Sequence, residues 1–528
     1  MLNMADVRSE KAVTFSTWVA FAMMCLGMFM AILDVQVVAT SLPTIQGALS
    51  IAPDQMSWIQ TAYLIAEVIA IPLTGFLTRT LSMRWLFVGA VVLFTLASIG
   101  CAASGSFQTL ISWRVLQGFA GGTLIPSVFS AVFILFPPSR QGIATTIGGV
   151  LAVLAPTIGP IVGGWITQTY SWHWLFLINV FPGLLAATVA SVTAPRAPLA
   201  LARLRKLDIA SLLLMALALT CLEIGLKQAP HDGWLGAVPL ALFSLSVASA
   251  LAFALRTLRN PSPIVELHNF ADRSFVIGCL LSFVLGVGLF GSVYLMPVFL
   301  AFVRGHNPLQ IGTIMLVTGL AQLLTAPLAV WLEQKVEPRL LTAVGFALFA
   351  VGSAMSAFQT PQTDFAGMFW PQVIRGAAIM FCLLPPIRLA LGNLEATRVA
   401  DASGLFNLMR NLGGAIGIAL VDTIIYVRSP VEGAHILDRL QAGDRNVATF
   451  VGIPDDIIAH MTGPPDASAL ATLRPMVETA ALTQAINEAW GLIALATVAA
   501  LLCVPFAKAS RQVSVGAMNP GQPAAEMN

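Results

Sequence analysis

The sequence predicts an all-α membrane protein with fourteen transmembrane helices, arranged as two six-helix bundles with a two-helix insert. Three observations support this fold: the number and length of the apolar segments, the placement of the basic residues, and an internal repeat. The 528-residue chain is 57% hydrophobic and only 10% charged, and its mean hydropathy is +0.84. A soluble domain with so little charge would aggregate, so the composition indicates a protein that lies in a lipid bilayer.

Fourteen apolar segments are each long enough to cross a bilayer. The hydrocarbon core is roughly 30 Å thick and a helix rises about 1.5 Å per residue, so about 20 apolar residues span it. The predicted helices, numbered 1 to 14 in chain order, cover residues 15–38, 55–77, 84–103, 107–131, 141–166, 173–193, 208–227, 236–257, 273–300, 308–331, 338–358, 365–388, 402–426 and 487–507.

The basic residues predict the orientation, because Lys and Arg concentrate in short cytoplasmic loops. With a cytoplasmic N-terminus, 18 of the 27 Lys and Arg residues lie in cytoplasmic segments, whereas the short outer loops carry only Lys227 and Arg304. Four more lie in a long outer loop, 427–486, and three lie within helices. We therefore predict a multi-pass protein of a bacterial inner (plasma) membrane with both termini in the cytoplasm.

An internal repeat divides the chain into two related halves. The matching segments are 72–84 and 327–339, 115–118 and 373–376, and 140–159 and 398–417, at offsets of 255, 258 and 258 residues. They pair helix 2 with 10, 4 with 12 and 5 with 13, which leaves helices 7 and 8 as the insert. Parallel repeats of this kind build transporters whose substrate site lies at mid-membrane between the halves.

The resulting domain division has five parts: a cytoplasmic N-terminus 1–14, a first six-helix bundle 15–193, a cytoplasmic linker with the insert 194–272, a second bundle 273–507, and a cytoplasmic tail 508–528. The loop 427–486 inside the second bundle is the only sizeable polar region, and its composition fits either a small periplasmic cap with one or two helices or a mobile linker. The basic segment 203–206 is interpreted as a topology determinant, with contact to anionic lipid headgroups as the alternative.

Several classes of function are disfavoured. The six cysteines lie in apolar helices without metal-ligand or disulfide spacing, the histidines show no HExxH pattern, and no GxxxxGK[ST] segment is present. We therefore predict no metal, no cofactor, no nucleic-acid partner and no catalytic residues. An enzyme is disfavoured because no clustered set of His, Asp and Glu faces one side.

Charged residues at membrane depth are costly, so each is a candidate for function. Asp34 in helix 1 and Arg114 in helix 4 lie at equal predicted depth, and protonation of Asp34 would release Arg114 from a salt bridge. We interpret the pair as a proton switch, with a permanent structural ion pair as the alternative. Glu67, at mid-depth in helix 2, is a candidate for proton coupling or cationic substrate binding; the alternative is a neutral Glu bonded to a neighbouring helix.

Other residues are candidates for the substrate cavity. Arg375 and Arg410, in helices 12 and 13, could hold an anionic substrate group, although structural pairing with a carboxylate is favoured. Glu223 and Asp422 lie nearer the outer ends of helices 7 and 13 and are expected to snorkel to the headgroups. The remaining candidates, which could line an adaptable cavity for apolar substrates, are Met30, Gln36, Gln60 and Tyr63.

Helix 5 carries prolines and glycines in a run that suits a moving interface. Pro156 and Pro160 remove backbone donors and permit a bend. Gly159, Gly163 and Gly164 allow another helix to approach closely. We predict that this run lies between the two halves and supports their relative motion, with ordinary helix packing as the alternative.

These motifs resemble those of a known family, the 14-helix drug:proton antiporters (EmrB/QacA type) of the major facilitator superfamily. Residues 114–122, RVLQGFAGG, are similar to the helix-4 motif RxxQGxxxG, and residues 155–164, APTIGPIVGG, resemble the exporter-associated helix-5 motif GPxxGPxxGG. Leu33-Asp34 with Leu42-Pro43 resembles the helix-1 motif LDxTVVNVALP. The resemblance covers about residues 15–507 and implies a major facilitator fold.

The sequence departs from this family in the loop between helices 2 and 3, which usually reads GxLADRxGRR. Here residues 75–84 read GFLTRTLSMR, with Arg79 in place of the acidic residue and Ser82 in place of the second glycine. A cytoplasmic lock centred on an aspartate is therefore not carried over. In helix 1, Gln36 and Ala39 replace the usual Thr and Asn.

The resemblance implies a secondary exporter that uses the proton gradient to extrude amphiphilic drugs or toxic compounds by alternating access. Two alternatives stay open: an exporter of one endogenous metabolite, such as a siderophore or a fatty acid, and a membrane sensor that does not transport. Resemblance to EmrB also implies a periplasmic adaptor protein and an outer-membrane channel, although the chain shows no docking motif.

Overall fold

The computed structural model describes residues 13–51, 58–202, 208–260, 263–392, 394, 396–453 and 467–507. Within these ranges every regular element is helical and no β-strand occurs. Thirteen continuous helical segments there are long and apolar enough to cross a membrane, and one of them contains two of the predicted helices. The predicted all-α membrane fold is confirmed. The basic segment 203–206, the tail 508–528 and residues 1–12 of the N-terminal segment lie outside the described residues.

The helices are named α1 to α14 to match the fourteen predicted segments. Their bounds are α1 Phe15–Leu49, α2 and α3 within the single helix Trp58–Ala102, α4 Phe107–Leu135, α5 Pro138–Thr169, α6 Val180–Thr193, α7 Ile209–Asp232, α8 Ala237–Arg259, α9 Arg273–Val298, α10 Pro308–Lys335, α11 Pro338–Met355, α12 Phe365–Leu391, α13 Ala396–Gln441 and α14 Ala467–Cys503. Shorter helices cover Trp174–Leu177 before α6 and Arg445–Val451 between α13 and α14.

Helices α2 and α3, which the sequence predicts as separate segments, are joined without a loop. The break lies at Ser82, whose φ of 65° and ψ of 156° are not helical, so α2 covers 58–81 and α3 covers 83–102. A positive φ favours glycine, which has no Cβ to clash with the backbone. Ser82 therefore holds a strained conformation, and its buried hydroxyl has no hydrogen-bond partner in the described part of the chain.

Capping residues fix where several helices begin. Ser106 and Thr109 form a reciprocal capping box at the start of α4, and Asn307 and Gln310 form one at the start of α10. Each box satisfies backbone N–H groups that have no partner within the helix. These polar residues stand immediately outside the apolar segments, so these two helices begin where their apolar segments begin.

Helices α13 and α14 are longer than their predicted apolar segments. The first continues to Gln441 and the second begins at Ala467. Their extensions pack with the helix Arg445–Val451 around an apolar cluster that includes Leu440 and Ala480. The described part of the loop 427–486 is therefore a small helical cap, which is one of the two structures its composition allows.

The helix packing follows the predicted repeat. In the first half α1 packs on α5, and in the second half α9 packs on α13; likewise α2 and α3 pack on α4 as α10 and α11 pack on α12. The halves meet where α5 contacts α10 and α13 contacts the α2–α3 helix. These two contacts are equivalent when each helix is matched with the eighth helix after it, as the sequence offset predicts.

The insert α7–α8 contacts both halves through its first helix. On the side of the first half, Lys227 donates a hydrogen bond to the Thr61 hydroxyl at 3.0 Å. On the side of the second half, the Trp234 indole donates to Thr423 at 2.9 Å. The insert therefore contacts both halves directly.

Candidate functional site

The ion pair predicted between Asp34 and Arg114 is present and completely buried. Nη1 of Arg114 lies 2.5 Å from Oδ2 of Asp34, and neither side chain is exposed. The same nitrogen donates to Oε1 of Gln117 at 2.7 Å, while Arg114 Nε donates to the carbonyl of Ile59 at 3.0 Å. The guanidinium thus ties α1 to α2 and α4.

Two amides complete the surroundings of Asp34. Its Oδ1 accepts from Gln117 Nε2 at 2.9 Å and from Asn179 Nδ2 at 2.8 Å. Both amides also donate to the Ser98 hydroxyl, at 2.9 and 3.4 Å. Every hydrogen-bond partner of the Asp34 side chain is a donor, so the arrangement requires the deprotonated carboxylate. Sequence reasoning missed Asn179, although an asparagine inside an apolar segment was a signal that could have found it.

Tyr63 belongs to this network. The ring is fully buried, and its hydroxyl donates to the Ala31 carbonyl at 3.3 Å. The Arg114 guanidinium carbon lies 4.4 Å from the ring centroid, which is a cation–π contact. Nη2 of Arg114 is buried without an acceptor among the described residues. The guanidinium therefore has a free donor for a further acceptor when the network rearranges.

Glu67 lies one turn after Tyr63 on α2, close to charged residues of both halves and of the insert. Its residue exposure is 7%, and within the described ranges its carboxylate forms no hydrogen bond or ion pair. The charges that act on it are those of Glu223, Arg114, Arg410 and Asp34. These groups come from the insert, the first half and the second half.

Glu223 is itself only 9% exposed, so the expectation that it snorkels to the headgroups is wrong: α7 packs inward instead.

The favoured pairing of Arg375 and Arg410 with carboxylates is wrong for the part of the chain that the structure describes, since neither forms an ion pair there. Arg410 donates to Asn407 Oδ1 and lies 5.9 Å from the ring centroid of Phe129, across the interface of the halves. Asp422, in the middle of α13, is partly exposed and accepts from the Tyr294 hydroxyl at 2.9 Å.

A cavity lies between α5 of the first half and the second half. It is partly enclosed, and the volume of about 510 Å³ outside the protein atoms includes open solvent at its mouth. Its walls come from α5, α9, α10, α11 and α12, and its lining residues include Pro156, Ser292, Met315, Gln372 and Arg375. Among the predicted substrate residues, Arg375 lines this cavity.

The other predicted substrate residues lie elsewhere. Met30 is 2% exposed, in the apolar core of the first half. Gln36 packs against α5, and Gln60 is half-buried on α2. The direction that each side chain faces depends on helix packing, which the sequence did not reveal. Within the described residues, no group of three or more His, Cys, Asp or Glu side chains could hold a metal ion.

Helix α5 packs tightly on both sides, as its glycines suggest. Gly159 faces Gln36 of α1, and a Cβ at this position would collide with the Gln36 side chain. On the other half, Gly319 of α10 faces Thr157 in the same way. The remaining predicted residues of the run, Pro156, Pro160, Gly163 and Gly164, lie within the same unbroken helix. Helix α5 therefore stands at the interface of the halves, and its part in their motion stays a prediction.

A second ion pair, which sequence reasoning missed, joins the two halves. Arg79, near the end of α2, pairs with Asp401, near the start of α13. The Asp401 side chain is 1% exposed and that of Arg79 is 26% exposed. Apart from this ion pair, both Asp401 oxygens lack a hydrogen bond in the described part of the chain. Arg79 stands where the related family has an acidic residue. Gly75 makes room for it, because a Cβ there would collide with Asp401.

Sequence comparisons agree with the geometry. A family model of the Major Facilitator Superfamily matches residues 24–418. The chain is 39% identical over 411 residues to the colistin resistance protein EmrB of Acinetobacter baumannii, covering 77% of this chain and 80% of that protein. It is 30% identical over 423 residues to the multidrug export protein EmrB of Escherichia coli strain K12, covering 80% and 82%. It is 28% identical to the fatty acid resistance protein FarB of Neisseria gonorrhoeae, covering 77% and 80%.

Solved structures share the fold at low sequence identity. The proton:xylose symporter XylE superimposes with a TM-score of 0.57 at 14% identity, over 93% of this chain and 96% of that chain. The human organic anion transporter MFSD10 gives a TM-score of 0.57 at 12% identity, over 91% and 99%. With the helix-4 and helix-5 motifs and the fourteen helices in place, these comparisons establish that the chain belongs to the Major Facilitator Superfamily, in its EmrB-type drug:proton antiporter family.

Proposed function

We propose that this efflux transporter is a proton-coupled antiporter of a bacterial inner membrane, with cytoplasmic termini and no cofactor. It exports amphiphilic toxic compounds by alternating access. The observation that carries the proposal is the buried carboxylate of Asp34, whose three partners are all donors. Relatives named for multidrug export and for colistin resistance support the substrate class.

Protonation of Asp34 has a defined structural consequence. A protonated carboxyl must donate its O–H, and none of Arg114, Gln117 and Asn179 accepts through the atom that now faces it. Removing one charge of a buried pair leaves the other uncompensated, at a cost of roughly 3–5 kcal/mol. A change of about 3 kcal/mol shifts an equilibrium by about 150-fold. A proton on Asp34 can therefore change which arrangement of α1, α2 and α4 is stable.

Glu67 connects this switch to the rest of the transporter. It lies one turn from Tyr63, which contacts Arg114, and it lies in the field of Arg410 from the second half. Movement of α13 relative to α2 changes the distance between these charges. We infer that Glu67 exchanges a proton, or releases a cationic substrate group, as the halves move.

Transport into everted membrane vesicles tests the proposal directly. With an acidic lumen, wild-type vesicles should accumulate a cationic dye, and Asp34→Asn and Glu67→Gln should abolish this accumulation at unchanged protein levels. Glu478→Gln is the matched control, because Glu478 is an exposed acid paired with Arg474 on α14, and it should transport normally. Wild-type transport that is indifferent to the pH difference would refute proton coupling.

A narrower substrate range is the alternative function. Export of one endogenous metabolite, such as a fatty acid or a siderophore, is supported by the relative named for fatty acid resistance. Competition by a panel of unrelated compounds separates the two functions, since a narrow exporter would respond to one chemical class. A sensor that does not transport would leave every compound outside the vesicles.

We further propose that the helical cap formed by α13, α14 and the helix Arg445–Val451 faces the periplasm and contacts an adaptor protein that leads to an outer-membrane channel. The cap supports this role because it is a folded, packed projection beyond the apolar segments. Photo-crosslinking from position 449, which is exposed on the helix Arg445–Val451, should capture an adaptor in intact cells. Capture from the cytoplasmic end of α8 at Arg259 instead would contradict the assignment.

A further inference from the structure

Arg375 is a buried cation whose charge the described part of the protein does not neutralise. Only 2% of the residue is exposed. Its Nη1 donates to the Ser356 hydroxyl at 2.6 Å, and its guanidinium carbon lies 4.2 Å from the ring centroid of Trp490. Both contacts orient the guanidinium, but neither carries a negative charge. An arginine stays charged in proteins, so an unpaired one at this depth is costly.

The first half shows how such a charge is ordinarily balanced in this molecule. There Arg114 is held by Asp34, with Gln117 beside them. The 258-residue offset between helices 4 and 12 places Arg375 in the position of Gln117. The second half therefore has a cation where the first has an amide, and the contacts of Arg375 in the described part of the chain include no carboxylate. A negative charge from outside the protein is the missing counterpart.

The cavity beside Arg375 has a mixed lining. Arg375, Gln372 and Ser292 contribute polar groups, while Met296, Met315 and Phe349 contribute apolar surface. The Gln372 Oε1 accepts from the Thr318 hydroxyl at 3.1 Å. Its Nε2 is buried and has no acceptor among the described residues. A buried donor without a partner is costly, so Gln372 offers a second donor next to the cation.

We propose that Arg375 and Gln372 bind the anionic head of a singly charged amphiphile, such as an alkyl carboxylate, while its apolar tail contacts Met296, Met315 and Phe349. The guanidinium supplies charge and paired N–H donors that match a carboxylate, and the Gln372 amide supplies one further donor. This inference rests on the proposed export of amphiphiles and assigns one subsite and one substrate class to it.

Binding of dodecanoate to the purified protein in nanodiscs of neutral lipid tests the subsite. Arg375→Gln should weaken dodecanoate binding by about 10- to 100-fold, because hydrogen bonds to a charged group are lost. Binding of dodecyltrimethylammonium, which has the same tail and the opposite charge, should not weaken. Arg375→Lys keeps the positive charge but lacks the paired N–H donors of the guanidinium, so it should bind dodecanoate more tightly than Arg375→Gln does. Equal dodecanoate affinity in wild type and Arg375→Gln would overturn the proposal.

A second variant and a second assay keep the outcomes distinct. If Arg375→Gln does not fold, Gln372→Leu removes a donor that has no partner in the structure and should still weaken dodecanoate binding several-fold. Export of the cationic dye by wild-type proteoliposomes is measured in parallel. Dye export without dodecanoate binding would overturn this inference and leave the proposed function standing. Absence of both would overturn both.

Discussion

The ion pair between Arg79 and Asp401 should hold the two halves together at one end of the molecule. Its removal is the sharpest test of the structure, because the two residues come from helices of different halves, α2 and α13. We consider three variants: Arg79→Asp, Asp401→Arg, and the double variant with both charges exchanged. Each single variant places two like charges against each other, and the double variant restores an attractive pair in reversed order.

The size of the effect follows from the burial of the two side chains. Breaking a fully buried ion pair costs roughly 3–5 kcal/mol, because one charge is left uncompensated. Asp401 is 1% exposed, but Arg79 is 26% exposed and is partly solvated when released. The contact is therefore worth about 1–3 kcal/mol. A change of that size alters the ratio of closed to open states by about 5- to 150-fold.

Cysteine accessibility measures this opening. Ser403 is fully buried next to the ion pair, and its hydroxyl donates to the Pro126 carbonyl of α4 at 3.4 Å. Ser403→Cys is therefore labelled by a membrane-impermeant maleimide only when the halves separate. A Cys503→Ser background suits the experiment, because the other five native cysteines are buried.

The single variants should label about 5- to 150-fold faster than the parent, and the double variant should return close to the parental rate. Arg79 makes other contacts as well, so Arg79→Gln serves as a control for losing them without adding repulsion. If the cysteine at position 403 is labelled as fast in the double variant as in the single variants, the attraction between residues 79 and 401 does not hold the halves together at this end. Parental labelling in both single variants would refute the contact altogether.

Three further changes test other features. Gly159→Leu should abolish gradient-driven efflux while the protein still inserts, because overpacking displaces α5; Gly89→Leu, where an added side chain meets open space, should transport normally, and equal activity of the two would reject the role of α5. Ser82→Gly should stabilise the protein by about 1 kcal/mol in thermal unfolding, since it removes a positive-φ strain and an unpaired hydroxyl; the exposed mid-helix Ser112→Gly should instead destabilise it, and a drop in stability for both would contradict the strain. Asn179→Ala removes one charged hydrogen bond and should lower efflux by about tenfold or more; unchanged efflux would remove Asn179 from the network.

The buried polar residues show how far sequence reasoning reaches. The sequence predicts the pairing of Asp34 with Arg114, because two opposite charges at equal depth in an apolar bundle have few other partners. Asn179 joins them only because α6 packs beside α1. Glu223 was placed wrongly because its depth was read from its own helix, whereas its environment is set by the helices that α7 contacts. The depth of a residue in the membrane can be inferred from its own helix, but the burial of its side chain depends on how several helices pack.

The interface of the halves shows the same limit. The Gly159 run signalled close packing, and the repeat indicated which helices correspond. Nothing in the segment around Asp401 indicated that Arg79 would meet it, since the two are far apart in the chain and belong to no shared motif. The kink at Ser82 likewise depends on how α3 turns to pack on α4, so the apolar pattern showed two segments and not the way they are joined.

The sequence by itself determined the membrane fold, the number of spans, the repeat and the family. These depend on local hydropathy and on the residues of short motifs, which do not change with the surroundings. Only the tertiary structure decided which side chains share the Asp34 network, that Arg375 lacks a counter-charge beside a cavity, and that Arg79 joins the halves. Those relations depend on which face each helix presents to its neighbours. Many residues from distant segments set that orientation together.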